Sequence, residues 1–245
     1  KHLASNNIAI VDIKNDSTVT AVVDGFDDKL KDMLGKKKTN PVVLRTNTTI
    51  TNDSWKPLIK EIQKSDADTV FLPLTTDQMD SFLTLAEKKG LRGLTIIGTK
   101  AWGTADFVNM TKKHQAYKFA FPYDTVINED NITTDSVTAE TQRFIIEYAT
   151  KYGSDDMPTQ NAALGYDSYL LLMNAINYAK STKGPAIRDA LLKLTGVHGA
   201  TGVFEFDEMG NTIRHVNIAT IKDGKIVSDY VTKDTSHAGS IGAIE

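Results

Sequence analysis

The residues that could do chemistry in this sequence are hydroxyls, a lysine and a tryptophan rather than the usual catalytic groups. The 245 residues include no cysteine, which excludes thiolate nucleophiles and zinc–thiolate sites. The five histidines have no metal-ligand spacing, and no Gly-x-Ser-x-Gly elbow occurs. We therefore expect a protein that is not an enzyme and that uses no cofactor and no metal.

Three polar stretches follow predicted strands, and they are the candidates for a binding site. They span Lys14–Thr18, Pro73–Thr76 and Gly98–Trp102. Lys100 could meet an anionic group, although most lysines stay solvated. Trp102 could form a stacking wall for a ligand or pack in the core. Thr75 is better placed to cap the following helix than to contact a ligand.

Short apolar strands alternate with amphipathic helices through the first 121 residues. The predicted strands are Ile8–Ile13, Val42–Leu44, Thr69–Leu72, Leu94–Ile97 and Phe119–Phe121. Strands that are apolar on both faces are typical of a parallel sheet covered by helices on each side. The carboxyl ends of such strands share one edge, so the three polar stretches should converge there.

The pattern changes at Pro122. This proline removes a backbone donor, so we predict that the preceding strand ends there and that the chain crosses to a second lobe. Tyr123 could line a cleft at this crossing or brace a hinge. Three helices are predicted next, around Phe144, Tyr166 and Leu191, and no strands are predicted beneath them although helices usually pack on a partner layer.

The tail of the sequence is rich in predicted strands. They are Val203–Phe206, one long strand over Ile213–Ile221, and Ile226–Val231. Asp223-Gly224 between the last two is a strong signal for a two-residue hairpin turn.

Composition excludes several classes of partner. The net charge of −3 and the scattered basic residues indicate no nucleic-acid surface. No apolar run reaches the ~20 residues needed to span a bilayer. The sequence opens without the apolar core of an export signal, so we expect any such signal to have been removed or never present.

Several stretches resemble the branched-chain amino-acid-binding proteins, which are solute receptors of ABC importers with the periplasmic-binding-protein type I fold. Their order and spacing follow the family pattern from Ile8 to Val231. The stretches are Ile8–Val11, Phe71-Leu72-Pro73, Gly98 with Trp102, Pro122-Tyr123-Asp124, Ala162-Ala163-Leu164-Gly165-Tyr166-Asp167, and a tail with Gly199, Thr201, Gly202, Phe206, Asp207, Gly210 and Asn211.

The resemblance implies an α/β fold with a doubly wound parallel-sheet lobe, a helical part of a second lobe and a C-terminal β-hairpin. The implied divisions are the carboxyl-terminal lobe at 1–121, a hinge and helical portion at 122–200, and a return crossing with the hairpin at 201–245. It further implies that the first part of the amino-terminal lobe is absent, so that this is a fragment whose helices lack their sheet.

The resemblance also implies a function. It indicates the extracytoplasmic solute-binding component of an ABC importer, which closes two lobes over an amino-acid-like small molecule. An ABC transporter permease would be its protein partner, and a lipid anchor on the full-length protein would be its only link to the membrane. The alternative is a ligand-sensing domain of a receptor or regulator with the same fold.

Carried over residue by residue, the resemblance places a solute at eight positions. They are Ser17, Thr18, Thr75, Thr76, Lys100, Trp102, Tyr123 and Asn161. Hydroxyls or an amide replace the family's common aromatics at all of these places except Lys100, Trp102 and Tyr123. Lys100 aligns with the acid that holds the ligand's ammonium group, and a lysine there would repel an ammonium. We therefore expect an acidic or polar solute, and poor binding by this fragment alone.

Overall fold

The computed structural model describes residues 7–34, 40–124, 138–153, 158–213 and 217–231. The chain divides into two units, Lys1–Pro122 with Ile218–Tyr230, and Tyr123–Asn217 with Val231–Glu245. The first boundary falls directly after Pro122. The correspondence of these units to the two lobes expected from the sequence stays a prediction.

The first unit alternates strands and helices along the chain. In order these are β1 Ile8–Ile13, α1 Ser17–Leu34, β2 Val42–Thr48, α2 Asn52–Lys64, β3 Thr69–Phe71, α3 Thr76–Lys88, β4 Thr95–Ile97, a single 3₁₀ turn Lys100–Trp102, α4 Ala105–Thr111 and β5 Lys118–Tyr123. The remaining elements are α5 Ala139–Tyr152, α6 Gln160–Ala179, α7 Gly184–Leu191, β6 Val197–Gly199, β7 Gly202–Phe206, β8 Thr212–Ile213, β9 Asn217–Lys222 and β10 Lys225–Val231.

A seven-stranded sheet with the order β10-β9-β5-β4-β3-β1-β2 forms the centre of the first unit. The pairs β1–β2, β1–β3, β3–β4 and β4–β5 are parallel. Ile8 and Ile10 pack with Val23 of α1, while Ala9 and Val11, which alternate to the other face, are also fully buried. Both faces of the sheet are therefore covered, as predicted for an α/β fold of this type.

The end of β5 differs from the prediction. The strand continues through Pro122 to Tyr123 instead of stopping at the proline. The β4–β5 ladder ends at the Ile97–Ala120 pair. The missing N–H of Pro122 therefore interrupts no hydrogen bond of that ladder, and the strand can continue past the proline on this side.

The predicted hairpin is present, and the long strand predicted before it contributes to two different sheets. β9 and β10 join beside β5 in the large sheet, and Asp223 and Gly224 between them have φ values of 52° and 71°. These positive values are those of a primed hairpin turn. Of the segment predicted as one strand over Ile213–Ile221, β8 pairs with β7 whereas β9 belongs to the large sheet, and residues 214–216 lie outside the described residues.

The described residues of the second unit form three helices and the small antiparallel sheet β6-β7-β8. Phe144, Ile145, Ala163 and Ala200 form its buried cluster. One side of α6 stays exposed, with Tyr169 at 64%, Leu172 at 44% and Met173 at 38% of their accessible surface. Across the part of the chain that the structure describes, no helix combines the length and apolarity needed to cross a membrane.

Candidate functional site

The carboxyl ends of β1, β3 and β4 lie side by side at one edge of the large sheet. β3 pairs in parallel with β1 through Phe71 and Ile10, and with β4 through Phe71 and Ile97. The three polar stretches identified in the sequence therefore follow three neighbouring strands. This is the edge at which ligands bind in open parallel sheets.

Thr75 and Thr76 lie at the start of α3 and line one cleft. The backbone N–H of Thr75 donates to Oε1 of Gln78 at 3.0 Å, which is one of the two bonds of a capping box, so Thr75 is the N-cap residue that the sequence predicted. Both threonines border a cleft of about 510 Å³, together with Ala101 and Thr104 from the segment after β4. Thr75 therefore caps the helix and contributes to the cleft wall at the same time.

Trp102 is a core residue of this edge. It has no exposed surface, its ring stacks on Phe107 at 4.5 Å between centroids, and its Nε1 donates to the carbonyl of Leu74 at 2.7 Å. Of the two roles left open by the sequence, the structure shows core packing. No part of the indole faces solvent, so Trp102 supports the edge from beneath.

Gly98 makes this packing possible. A Cβ at Gly98 would lie 2.2 Å from the Trp102 ring, so any side chain there would displace the indole. Lys100 begins the 3₁₀ turn that carries Trp102, and its side chain is exposed. In this turn the side chain of Lys100 therefore faces solvent, and the buried side chain of Trp102 anchors the turn to the sheet.

Ser17 and Thr18 are exposed and form the start of α1. The Asp16 carboxylate accepts the backbone N–H of Val19 at 3.0 Å and fixes this helix start. Ser17 lines a separate cleft with Asn15, Asp16, Thr20, Ala21 and Asp24. The structure therefore places Ser17 on the same sheet edge as Thr75 but in a different cleft.

Tyr123 and Asn161 belong to the second unit. Tyr123 is buried, and burial, with a smaller effect from the neighbouring Asp124 charge, raises the pKa of its phenol. The backbone N–H of Asp124 donates to Oε1 of Gln160 at 3.1 Å, and Asn217 donates to the carbonyl of Asp124 at 2.7 Å. Asn161, the residue after Gln160, is exposed in the first turn of α6.

The sequence did not reveal a buried contact between α6 and the turn after β6. Asp167 is 1% exposed and accepts the N–H of Ala200 at 2.5 Å, the N–H of Thr201 at 2.9 Å and the hydroxyl of Thr201 at 2.6 Å. Both stretches carried the family resemblance, but nothing in either one indicated that they touch. Their meeting gives Asp167 a structural role.

A second polar cluster, built around the buried side chain of His114, joins α3 to the turn after α4. The ring of His114 lies with Nδ1 2.8 Å from Oε1 of Glu87 and Nε2 2.7 Å from Oδ1 of Asp80. The hydrogen bond with His114 is the main cause of the lowered pKa of Asp80, and Lys113 contributes. Within the described ranges no group of three or more histidine and acidic side chains could hold a metal.

A comparison with protein families identifies the class of protein. A model of the periplasmic binding protein family matches residues 5–225 of the sequence, so the chain belongs to that family. Its members are binding proteins, which confirms the prediction that the chain is not an enzyme. No curated protein matches the sequence.

Solved structures share the fold at low sequence identity. A leucine-binding protein from Thermotoga maritima is 18% identical with a TM-score of 0.76, and the match covers 96% of this chain and 63% of that one. The branched-chain amino acid transporter substrate-binding protein of Streptococcus pneumoniae, in complex with isoleucine, is 20% identical with a TM-score of 0.68, over 91% of this chain and 59% of that one.

A third structure widens the range of ligands found on this fold. The solute-binding protein of an ABC transporter from R. palustris, in complex with benzoate, is 17% identical with a TM-score of 0.64, over 91% of this chain and 57% of that one. This chain therefore spans less than two thirds of the length of each of these proteins.

Proposed function

We propose that the full-length protein containing this chain is the extracytoplasmic solute-binding receptor of an ABC importer for amino acids or related small polar solutes. Family membership over residues 5–225 supports this, as do relatives of the same fold that bind leucine and isoleucine. The observation that carries the proposal is the parallel sheet edge where polar loops follow the adjacent strands β1, β3 and β4. The permease of the importer is the proposed protein partner, and a lipid anchor is the proposed link to the membrane.

Hinged closure of two lobes is the proposed mode of action. The chain divides after Pro122, between Asn217 and Ile218, and again between Tyr230 and Val231, which supports crossing segments between lobes. We assign residues 1–121 to one lobe, 122–200 to the hinge and helical part of the other, and 201–245 to the return crossing and hairpin. Within the second unit, the N–H of Asp124 donates to Gln160 and its carbonyl accepts from Asn217, so the residues beside the first two divisions are joined.

The exposed side of α6 supports the proposal that the second lobe has a further layer in the full-length protein. Tyr169, Leu172 and Met173 lie at i, i+3 and i+4, so they form one apolar stripe. Exposed apolar stripes of this kind mark surfaces that another element covers. We propose that a segment of the amino-terminal lobe, present in the longer relatives, packs on this stripe.

The proposed solute contacts are Ser17, Thr18, Thr75, Thr76, Lys100, Tyr123 and Asn161, with Trp102 as a support. Lys100 is exposed at the carboxyl end of β4, where it favours an anionic group. The relative bound to benzoate carries a carboxylate ligand without an ammonium group. We therefore propose an acidic or polar solute in place of an ordinary branched-chain amino acid.

Thermal unfolding of the full-length protein with added amino acids tests both proposals. We expect L-glutamate to raise the Tm and L-leucine to leave it unchanged, because a ligand that binds only the folded state stabilises it. Lys100→Glu should abolish the effect of L-glutamate, whereas Lys118→Glu, a charge reversal at the opposite end of the sheet, should preserve it. Strong stabilisation by L-leucine would overturn the solute class, and no response to any amino acid or small polar carboxylate would overturn the receptor function.

A further inference from the structure

Trp102 connects two loops that lie far apart in the sequence. Its Nε1 reaches the carbonyl of Leu74, 28 residues earlier, at 2.7 Å. Both groups are inside the protein, since Trp102 is 0% and Leu74 2% exposed. Neither group can exchange this bond for one to water without opening the edge, so the bond persists as long as the loops stay closed.

The indole can occupy only one position. One face stacks on Phe107 with an interplanar angle of 12°, and its edges meet the rings of Phe119 and Phe121 at centroid distances of 6.1 and 6.2 Å. Gly98 leaves just enough room for the ring on the remaining side. Because the indole is packed on all these sides, a displacement of the Trp102 backbone also moves the ring, and the hydrogen bond passes this movement to Leu74.

The residues at both ends of this connection adjoin the proposed solute contacts. Leu74 directly precedes Thr75, and its N–H donates to the carbonyl of Leu72 at 2.9 Å. Trp102 follows Lys100 by two residues, and its carbonyl accepts the N–H of Thr104 at 2.8 Å. Each loop is thus a tight turn, and the indole bond joins the two turns.

We propose that Trp102 is a positioning residue that makes the loops 73–76 and 98–104 move as one body, so that Thr75 and Lys100 meet a solute in one fixed arrangement. Trp102 itself touches no solute and acts through Leu74 and through its own turn. The inference rests on the proposed function in one respect, namely that these two loops form part of the solute site.

Amide hydrogen exchange of the full-length protein without solute tests the coupling. In Trp102→Phe, which keeps an aromatic ring but removes the N–H, we expect the amides of Leu74 and Thr104 each to exchange at least ~10-fold faster than in the wild type. Trp55→Phe is the matched control, because Trp55 is 1% exposed and packs against Phe82 in the same unit. We expect that control to leave both amides at their wild-type rates.

A second pair of variants tests the coupling without altering the tryptophan. Gly98→Ala forces the indole out of place, whereas Gly25→Ala adds a methyl group with nothing within 4 Å. We expect Gly98→Ala to accelerate both amides together and Gly25→Ala to accelerate neither. Acceleration of Thr104 alone, wild-type rates in Trp102→Phe and Gly98→Ala, or equal acceleration in Trp55→Phe would each overturn the proposal. Since no solute is added, failure here is separate from failure of the proposed function.

Discussion

Asp167 of α6 binds Thr201 through two hydrogen bonds, although 34 residues separate them. The carboxylate accepts both the backbone N–H and the hydroxyl of Thr201, and it also accepts the N–H of Ala200. All of these groups are buried. The contact ties the longest helix of the second unit to the turn between β6 and β7.

Removal of this carboxylate should destabilise the second unit strongly. Asp167→Ala leaves two buried N–H groups and a hydroxyl without an acceptor, and we expect a loss of about 3 kcal/mol in the free energy of unfolding. Urea denaturation followed by circular dichroism measures the change. The neighbouring Ser168→Ala is the control, because Ser168 is exposed and bonds only within its own helix. Equal stability of Asp167→Ala and Ser168→Ala would show that the contact is unimportant.

Gly199 should be intolerant of any side chain for the same reason. A Cβ there would lie 2.5 Å from Oδ1 of Asp167 and 2.7 Å from the ring of Phe204. We expect Gly199→Ala to lower the Tm clearly. Gly165→Ala, on α6 with nothing within 4 Å of its Cβ, should raise stability by about 0.5–1 kcal/mol because alanine favours the helix. A Gly199→Ala protein as stable as the wild type would contradict this packing.

The Asp80–His114 bond predicts a dependence of stability on acidity. The pKa of Asp80 is lowered in the folded state, mainly by the hydrogen bond with His114 and secondarily by Lys113. The unfolded chain therefore binds this proton more tightly than the folded one. The stabilisation is present above the ordinary value of 3.8 and is lost as the pH falls through the lower folded pKa.

Asp80→Asn removes this stabilisation, so comparing the variant with the wild type measures its size at each pH. We expect the difference in unfolding free energy between wild type and Asp80→Asn to shrink between about pH 5 and pH 2. The same substitution in a His114→Gln background is the control, because it isolates the coupling between the two side chains. If the difference stays constant over that pH range, or is unchanged without His114, the bond does not stabilise the folded state.

The apolar period predicted most of the elements, because it records which residues face the core. The predicted bounds Ile8–Ile13 and the helix predicted around Tyr166 agree with the structure for this reason. β2 was predicted to stop at Leu44 but runs to Thr48. β2 is the edge strand of the sheet. The residues of its second half are polar, so no run of apolar residues marks them as part of a strand.

The sequence predicted a solute site at the carboxyl edge of the sheet, but it could not determine which side chains are accessible at that edge. Thr75 was recognised as a helix cap, and Trp102 was left between two roles. The role of Trp102 depends on Leu74 and Phe107, which approach it only after the sheet has formed. β6 was missed because its three residues pair only through contacts with β7.

The most direct test of the account is a calorimetric titration of the full-length protein with the solute that stabilises it most. Thr76→Val keeps the shape of the side chain but removes a hydroxyl from the proposed site, and Thr84→Val makes the same change at an exposed position later in α3. We expect Thr76→Val to raise the Kd at least ~10-fold through the lost hydrogen bond, and Thr84→Val to leave it unchanged. An unchanged Kd in Thr76→Val, or an equal loss in both variants, would contradict a solute site at this edge of the sheet.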